Sequence, residues 1–339
     1  MSSARRRPAC PELYEEDVRF SSFARLSRNI AGYPFPHKNA DKSQAIADAV
    51  ADALEREMPG YSAKPEPAGA ANGSPFHMAA PKGATLYAIP SKSAVVAVNG
   101  TDHIAVCGMG GNPAKAYAAA EEIENALGRH LAFAWRPDIG YLTASPSDVG
   151  TGLRTGTLLH LEGLHLIGEL EPCMRGLEAM RMKAVGFDAS GIRNAAHLFR
   201  VCNSVTLGEK EEDLVKRSAT AADALVEQEL NARVRLVEEL PRVFADSVCR
   251  ALAILKSARL LSAAETFDLL SPIRIAASMD LLSGITLEDI SKTMTSFPLG
   301  EPEESDADKR DAADGRRADR ITRRFARVST NGRFAELTT

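Results

Sequence analysis

Trp135-Arg136-Pro137-Asp138-Ile139-Gly140-Tyr141-Leu142-Thr143-Ala144-Ser145-Pro146-Ser147-Asp148-Val149-Gly150-Thr151-Gly152-Leu153-Arg154, running on to His160, is the stretch around which the chain is organised. It reads as a short strand entering a loop of Gly, Ser, Thr and Asp. An apolar run from Leu153 to Leu161 follows, bounded by Arg154 and Glu162, the pattern of a largely buried element. Two readings of the loop are open. In one it receives an anion: glycines let backbone N–H groups approach a ligand, small hydroxyls donate hydrogen bonds, and Arg154 offers a fork for phosphate. In the other it is a glycine-rich connection between two core strands.

Composition narrows the class. A chain of 339 residues, 45% hydrophobic and 25% charged, can build one large or two medium domains without staples. The formal net charge of -4 supplies no overall field for nucleic acid or an anionic membrane. No apolar run approaches the ~20 residues that span a bilayer. Cys10, Cys107, Cys173, Cys202 and Cys249 are odd in number, widely spaced and free of CxxC pairs. This argues against a disulfide framework and a zinc site, and predicts reduced thiols in an intracellular compartment. Met1 to Arg7 is basic and hydroxyl-rich, but the acids from Glu12 onward make it a poor transit peptide. A disordered arm over residues 1–20 is expected, with cytoplasm and mitochondrion not distinguished.

On the N-terminal side, residues 21–29 lead into Gly32-Tyr33-Pro34-Phe35-Pro36, where the prolines stop any helix and force an extended path. Asp41 is expected to cap a helix with Ile46, Val50, Ala53 and Leu54 on one face, ending before Pro59. Residues 62–83 read as a loop. Thr85–Ile89 and Ala94–Val98 read as strands, and Asn99-Gly100 before the apolar run 103–107 signals a hairpin, since both residues tolerate positive φ. Gly110-Gly111-Asn112-Pro113 opens a helix that closes on Gly128.

On the C-terminal side come a helix over 170–182, a Gly/Ser segment over 185–191, a strand-like run over 198–207 and a long helix from Gly208 to Leu240 with an acidic first turn. Pro241 interrupts it, and helical spacing continues over 243–257, 263–270 and 287–293. Charge is segregated near the end: acids from Glu301 to Asp308, then Arg316, Arg317, Arg320, Arg323, Arg324 and Arg327, threaded by an apolar stripe of Ile321, Phe325 and Val328. One reading is a solvated terminal helix docked by that stripe. The other is a helix that binds an acidic partner, with Ile321 and Phe325 as buried anchors.

Gly140-Tyr141-Leu142-Thr143-x-x-Pro146, Gly150-Thr151-Gly152-Leu153-Arg154 and Leu159-His160-Leu161 together resemble the central signature of the phosphagen (guanidino) kinases, most closely the bacterial protein-arginine kinases. Matches in the same order extend over about residues 20–325. The resemblance implies an α+β fold over residues 21–240, an antiparallel sheet flanked by helices of the phosphagen kinase and glutamine synthetase-like catalytic type. A C-terminal helical domain over 241–328 and a tail over 329–339 would follow.

The family transfers a phosphoryl group between ATP and a guanidinium, which rests on positioning and charge neutralisation. The resemblance therefore implies arginines on the nucleotide phosphates, with carboxylates and a cysteine on the guanidinium. Phe23 and Arg25 occupy the two arginine positions of the family's Ser-x-Arg-x-Arg. Asn-Glu-Glu-Asp-His-x-Arg becomes Asn99-Gly100-Thr101-Asp102-His103-Ile104-Ala105, with Thr101 in place of the base and Ala105 in place of an arginine. Ser145 stands where the family has a cysteine, and a hydroxyl supplies no thiolate. Arg-Gly-x-x-Gly-Glu falls on Val185-Gly186-Phe187-Asp188-Ala189-Ser190, which removes a further arginine and, at Ser190, the second carboxylate. The protein-arginine kinases' phosphoarginine motif, Arg-Asp-x-x-Arg-Ala, reads Arg310-Asp311-Ala312-Ala313-Asp314-Gly315, and Asp314 would repel the phosphate. Arg25, Arg28 and Arg154 remain as candidates for residual phosphate binding.

Loss of a general base is worth ~10²–10⁴-fold, and loss of a charge-stabilising donor a further ~10²–10³-fold. The expectation is a catalytically inactive guanidino-kinase-like protein, without catalytic residues or metal, acting as a structural or regulatory subunit of a larger protein complex. No cofactor is expected beyond weak ATP or ADP with Mg. The partner contact is placed between Glu301 and Arg327, with homodimerisation through the C-terminal helices as a further expectation and no nucleic-acid partner. Two alternatives stand beside it: a nucleotide-binding pseudokinase resting on Arg25, Arg28 and Arg154, and an active phosphotransferase using Asp102 or Asp188.

Overall fold

The computed structural model describes residues 13–36, 42–57, 65–67, 84–186, 195–296 and 307–337. α1 (Glu15–Val18) runs into β1 (Arg19–Arg28), followed by α2 (Ser43–Glu57), β2 (Pro65–Pro67), β3 (Thr85–Ile89), β4 (Ala94–Val98), β5 (Ile104–Gly110) and α3 (Pro113–Gly128). The short strands β6 (Trp135–Arg136) and β7 (Gly140–Tyr141) lead to β8 (Leu153–His160), α4 (Glu162–Leu166), α5 (Leu170–Ala179), β9 (Met182–Gly186), β10 (Leu198–Asn203) and α6 (Glu211–Glu239). Last come α7 (Pro241–Ser257), α8 (Ala263–Ser278), β11 (Leu282–Ser283), α9 (Leu287–Ser296), α10 (Ala307–Phe325), β12 (Ser329–Thr330) and α11 (Gly332–Glu336).

The class is α+β. Eight strands form one antiparallel sheet in the order β2-β3-β4-β5-β1-β8-β10-β9. The apolar run that closes the organising stretch is β8, and every one of its residues is buried between β1 and β10. The Asn99 signal marks the β4–β5 hairpin, where Asn99 takes φ +58° and its N–H donates to His103 O at 2.9 Å.

Strand side chains alternate between faces. Ala24 and Leu26 of β1, with Val96, Val98, Ile104 and Val106, face α2 and α3 and pack on Ile46, Val50, Leu54, Ala120, Ile123 and Leu127. Farther along the same face, Leu159, Phe199 and Val201 pack on Ala221, Leu225 and Val226 of α6. The intervening residues, Phe23 and Arg25 among them, turn to the opposite face.

The helical region differs from the sequence reading in two places. α8 continues through Pro272 instead of stopping at residue 270, although an interior proline removes an N–H and crowds the preceding turn. Burial of Phe267, Leu270, Ile273, Ile275 and Ala276 in the helical core outweighs that penalty. The second difference corrects the anchor reading of the tail. Ile321, Phe325 and Val328 are fully buried and share a core with Phe244, Val248, Leu255 and Phe267. They therefore dock α10 onto its own chain and are not available to a partner; Glu301 and its neighbours through residue 306 lie outside the described residues.

A buried polar network joins sheet and helices. His160 is fully buried, and its Nδ1 accepts from Arg233 Nη2 at 3.2 Å and Arg274 Nη1 at 3.1 Å. Nε2 must then carry the proton and donate to Ser271 Oγ at 2.8 Å, while the Ser271 hydroxyl donates to Glu162 Oε2 at 2.6 Å. Burial and the two guanidinium groups hold His160 well below its ordinary pKa, so the ring stays neutral. In this tautomer His160 cannot take a proton from Ser271, and the pair is a structural fastener rather than a nucleophile with its base.

Candidate functional site

The parity of β1 separates two of the candidate arginines. Arg25 and Arg28 are three residues apart and point to opposite faces of the sheet. Arg28 lies under the helices, where Nε donates to Glu124 Oε1 at 2.8 Å, Nη2 to Glu211 Oε1 at 3.3 Å and Nη1 to the carbonyls of Ser27 and Thr151. Its guanidinium stacks on Tyr141, 3.5 Å from the ring centroid. All three nitrogens are engaged, so Arg28 ties β1 to α3 and α6, and its place as a phosphate candidate is corrected.

Arg25 and Arg154 are directly opposite one another on β1 and β8, on the open face. Between them sits a residue that the sequence reading passed over, Asp148 of the short 3-10 turn Pro146–Asp148. Arg25 Nη2 donates to Asp148 Oδ2 at 2.7 Å and Arg154 Nε to Oδ1 at 2.7 Å. Arg154 is itself buried, with Nη1 on Asn203 O at 2.6 Å and Nη2 on Ser147 O at 2.7 Å. Asp148 is thus an internal anion held by two guanidinium groups, the kind of charge-assisted pairing that a phosphate would otherwise make.

The loop glycines serve close packing. Gly150, at φ +109°, exchanges both backbone hydrogen bonds with Tyr141, and a Cβ there would come within 2.7 Å of Thr206 O and Leu207 Cα. Gly152, at φ +64°, would place a Cβ 2.6 Å from Ser27 O. Here the loop acts as the connection between core strands, fastened to β1 and to the residues after β10.

Thr101 is exposed at the hairpin tip. Its neighbour Asp102 is buried, accepting from Asn29 Nδ2 at 2.7 Å and from the N–H of Ala144 at 2.6 Å. His103 Nδ1 accepts from the N–H of Ile30 at 3.0 Å, which leaves Nε2 to donate to Pro34 O at 2.9 Å; burial lowers its pKa. These groups brace the loop. Ser145 Oγ pairs with Ser147 Oγ at 2.9 Å. Ser190 and Asp188 lie outside the described residues.

A family model described as ATP:guanido phosphotransferase, C-terminal catalytic domain, matches residues 73–232, and one described as Protein-arginine kinase McsB C-terminal domain matches residues 241–335. The protein-arginine kinase of Desulforamulus reducens is 32% identical over 289 residues, 80% of this chain and 81% of that one. The protein-arginine kinase of Pelotomaculum thermopropionicum is 30% identical over 300 residues, 83% of this chain and 84% of that one. The chain belongs to the protein-arginine kinase family. Among solved structures, lombricine kinase superposes with TM-score 0.51 at 19% identity, over 65% of this chain and 68% of the other. The duplicated taurocyamine kinase of Schistosoma mansoni, bound to transition-state-analogue components, gives 0.54 at 18%, over 72% and 39%. These two establish likeness of fold.

Within the protein-arginine kinase family, the residues of this chain do not fit nucleotide phosphates in the way the family resemblance implies. Arg25 and Arg154 hold a carboxylate, Arg28 faces the helices, and Ala105 and Val185 carry no charge. Two cations that sequence reasoning did not place are on the open face instead. Arg200 of β10 is directly opposite Val185 of β9, and Lys183 is directly opposite Cys202. No sequence spacing links residues 185 and 200; only strand register does. Among the described residues no helix is long and apolar enough to cross a membrane.

Proposed function

We propose that this family member performs no phosphoryl transfer and serves as a structural or regulatory subunit of a protein complex. The observation that carries the reading is the pairing of Arg25 and Arg154 with Asp148. An incoming phosphate would have to displace a carboxylate already held by two charge-assisted hydrogen bonds, each worth about 1.5–3 kcal/mol net. The proton side of the reaction is equally bare. The hydroxyl of Thr101 is no base at neutral pH, and both hydrogen bonds of Asp102 brace the loop. Weak binding of ATP or ADP with Mg, rather than a catalytic complex, follows from the same loss of charge. A protein-contacting role is supported by apolar side chains left in solvent on the helical region: Val243 and Ile254, three turns apart on α7, and Leu260 beyond it.

Incubating the full chain with ATP, Mg and either arginine or an arginine-bearing protein, and reading phosphoarginine by 31P NMR, is expected to give no signal above a no-enzyme control. Phosphoarginine that disappears in Arg154→Ala would overturn the reading.

A further inference from the structure

The helix α10 has two faces of opposite chemistry. Ala318, Ile321 and Phe325, with Val328 just past the helix end, are fully buried and fix how α10 is turned on the helical core. At about 100° per residue, Lys309, Arg316, Arg320 and Arg323 then fall within about 60° of one another on the outward side. Arg327 continues the same line beyond the last turn, and all five are exposed. From Lys309 to Arg323 the line runs about 21 Å along the helix axis. It carries no carboxylate, since Asp314 is turned aside to Arg317.

Arg316 and Arg320, Arg320 and Arg323, and Arg323 and Arg327 stand three or four residues apart, a spacing at which like charges repel and weaken a helix. The helix dipole favours a cation only within the last turn, which helps Arg323 but not Arg316 or Arg320. Off the line, Arg317 and Arg324 have acids of their own in Asp314 and Asp289. On it, Arg316 and Arg327 make no ion pair or side-chain hydrogen bond among the described residues. Inside the chain the spacing of the stripe contributes repulsion; attraction is available from an acidic surface outside it.

A neighbour of the stripe favours a protein as the source of that surface. Leu260 is 53% exposed and lies against α10 at Gly315, where an added Cβ would be 3.8 Å from its Cδ2. An apolar side chain in solvent beside a row of cations matches the anchor and charged rim of protein interfaces. A nucleic acid longer than the stripe would instead run onto a chain whose net charge is -4 even with the stripe included.

We propose that the outward face of α10, with Arg316, Arg320, Arg323 and Arg327 and with Leu260 at its flank, is a docking surface for an acidic helix of a protein partner. Carboxylates at the same three- and four-residue spacing would each meet a guanidinium, whose planar fork takes a carboxylate by two hydrogen bonds. The surface rests on the complex-subunit reading and gives it a location. Its readout is binding without turnover, whereas phosphoarginine formation tests the catalytic reading, so the two fail separately.

Fluorescence anisotropy with the full chain tests it, using a labelled helical peptide of about 20 residues with glutamates at i, i+4, i+7 and i+11. The same residues in scrambled order and an oligo-dT of equal charge are the comparisons. The glutamate-stripe peptide is expected to bind one per chain and to weaken as salt is raised, with the scrambled peptide and oligo-dT at least about tenfold weaker. Arg316→Gln combined with Arg327→Gln should weaken the stripe peptide about tenfold, while Arg250→Gln on α7 leaves it unchanged. Both substituted side chains are exposed and bond nothing among the described residues, so the double variant should melt with the wild type. Failure of the stripe peptide to bind, or equal binding by wild type and double variant, overturns the proposal. So does oligo-dT or the scrambled peptide binding as tightly, or a change in the chain's own oligomeric state in the double variant on size-exclusion chromatography.

Discussion

The two faces of the central sheet use the same residue type in opposite ways. Under the helices, Arg28 has every nitrogen bonded, two of them to carboxylates, and its plane stacked on Tyr141. On the open face, Arg200 has a buried Nε with no acceptor, and Arg25 is only partly engaged, through Asp148. A charge whose donors are all satisfied by its own fold is architecture, and one with spare donors is available to a ligand. Strand parity sets which face a cation reaches, and on the open face local partners then decide, since Arg154 has every nitrogen bonded as Arg28 does.

The largest difference between the two faces is expected at Arg28. Arg28→Ala would leave the buried Glu124 and the half-buried Glu211 without their cation, a loss of about 3–5 kcal/mol of stability. Burial already raises the Glu211 pKa, so removal of its partner pushes it further the same way. Arg200→Ala, which removes no bond among the described residues, should stay within about 0.5 kcal/mol of wild type. Denaturant unfolding of the two variants side by side checks this, and equal destabilisation would erase the distinction between the faces.

Much of this architecture was legible in the sequence. The β-branched runs Thr85–Ile89 and Ala94–Val98, the Asn99-Gly100 turn and the buried run after Gly152 all form as read, because each rests on local periodicity or turn chemistry. The site was less legible. Residue type groups Arg25 with Arg28, although an odd separation within a strand places them on opposite faces. Asp148 escaped notice because a loop acid has no periodic signal, and its role depends on two strands brought to either side of it. Arg200 acquires meaning only through its register with Val185. Ile321 and Phe325 carry the same helical spacing whether they dock a helix on its own core or on a partner, and tertiary packing alone resolved them inward.

At the junction with the helices, two histidines sharpen the same contrast between engaged and available charge. Burial alone would lower the His197 pKa, but its hydrogen bond to Glu162 prevails and raises it above 6.5, opposite to His160. A raised folded-state value means that the stabilisation is fully present below pH about 6.5 and is lost as pH rises through the folded value. His197→Gln should therefore lower stability by about 1.5 kcal/mol at pH 6, the lower end for a charged hydrogen bond at a partly exposed ring. At pH 9 the difference should vanish. Thermal melts of both proteins across that range measure it, and a constant offset would remove the charge from the explanation.

The account turns on Asp148 as the internal anion that engages Arg25 and Arg154. Calorimetry of ATP binding to Asp148→Asn, beside wild type in the same buffer, tests this most directly, since the amide keeps the shape and removes the charge. Release of the two guanidinium groups predicts a gain in ATP affinity of about tenfold, equivalent to about 1.4 kcal/mol. An Asp148→Asn variant that remains folded and binds ATP no better than wild type would contradict the account, because the two arginines would then be withheld from phosphate by something other than that carboxylate.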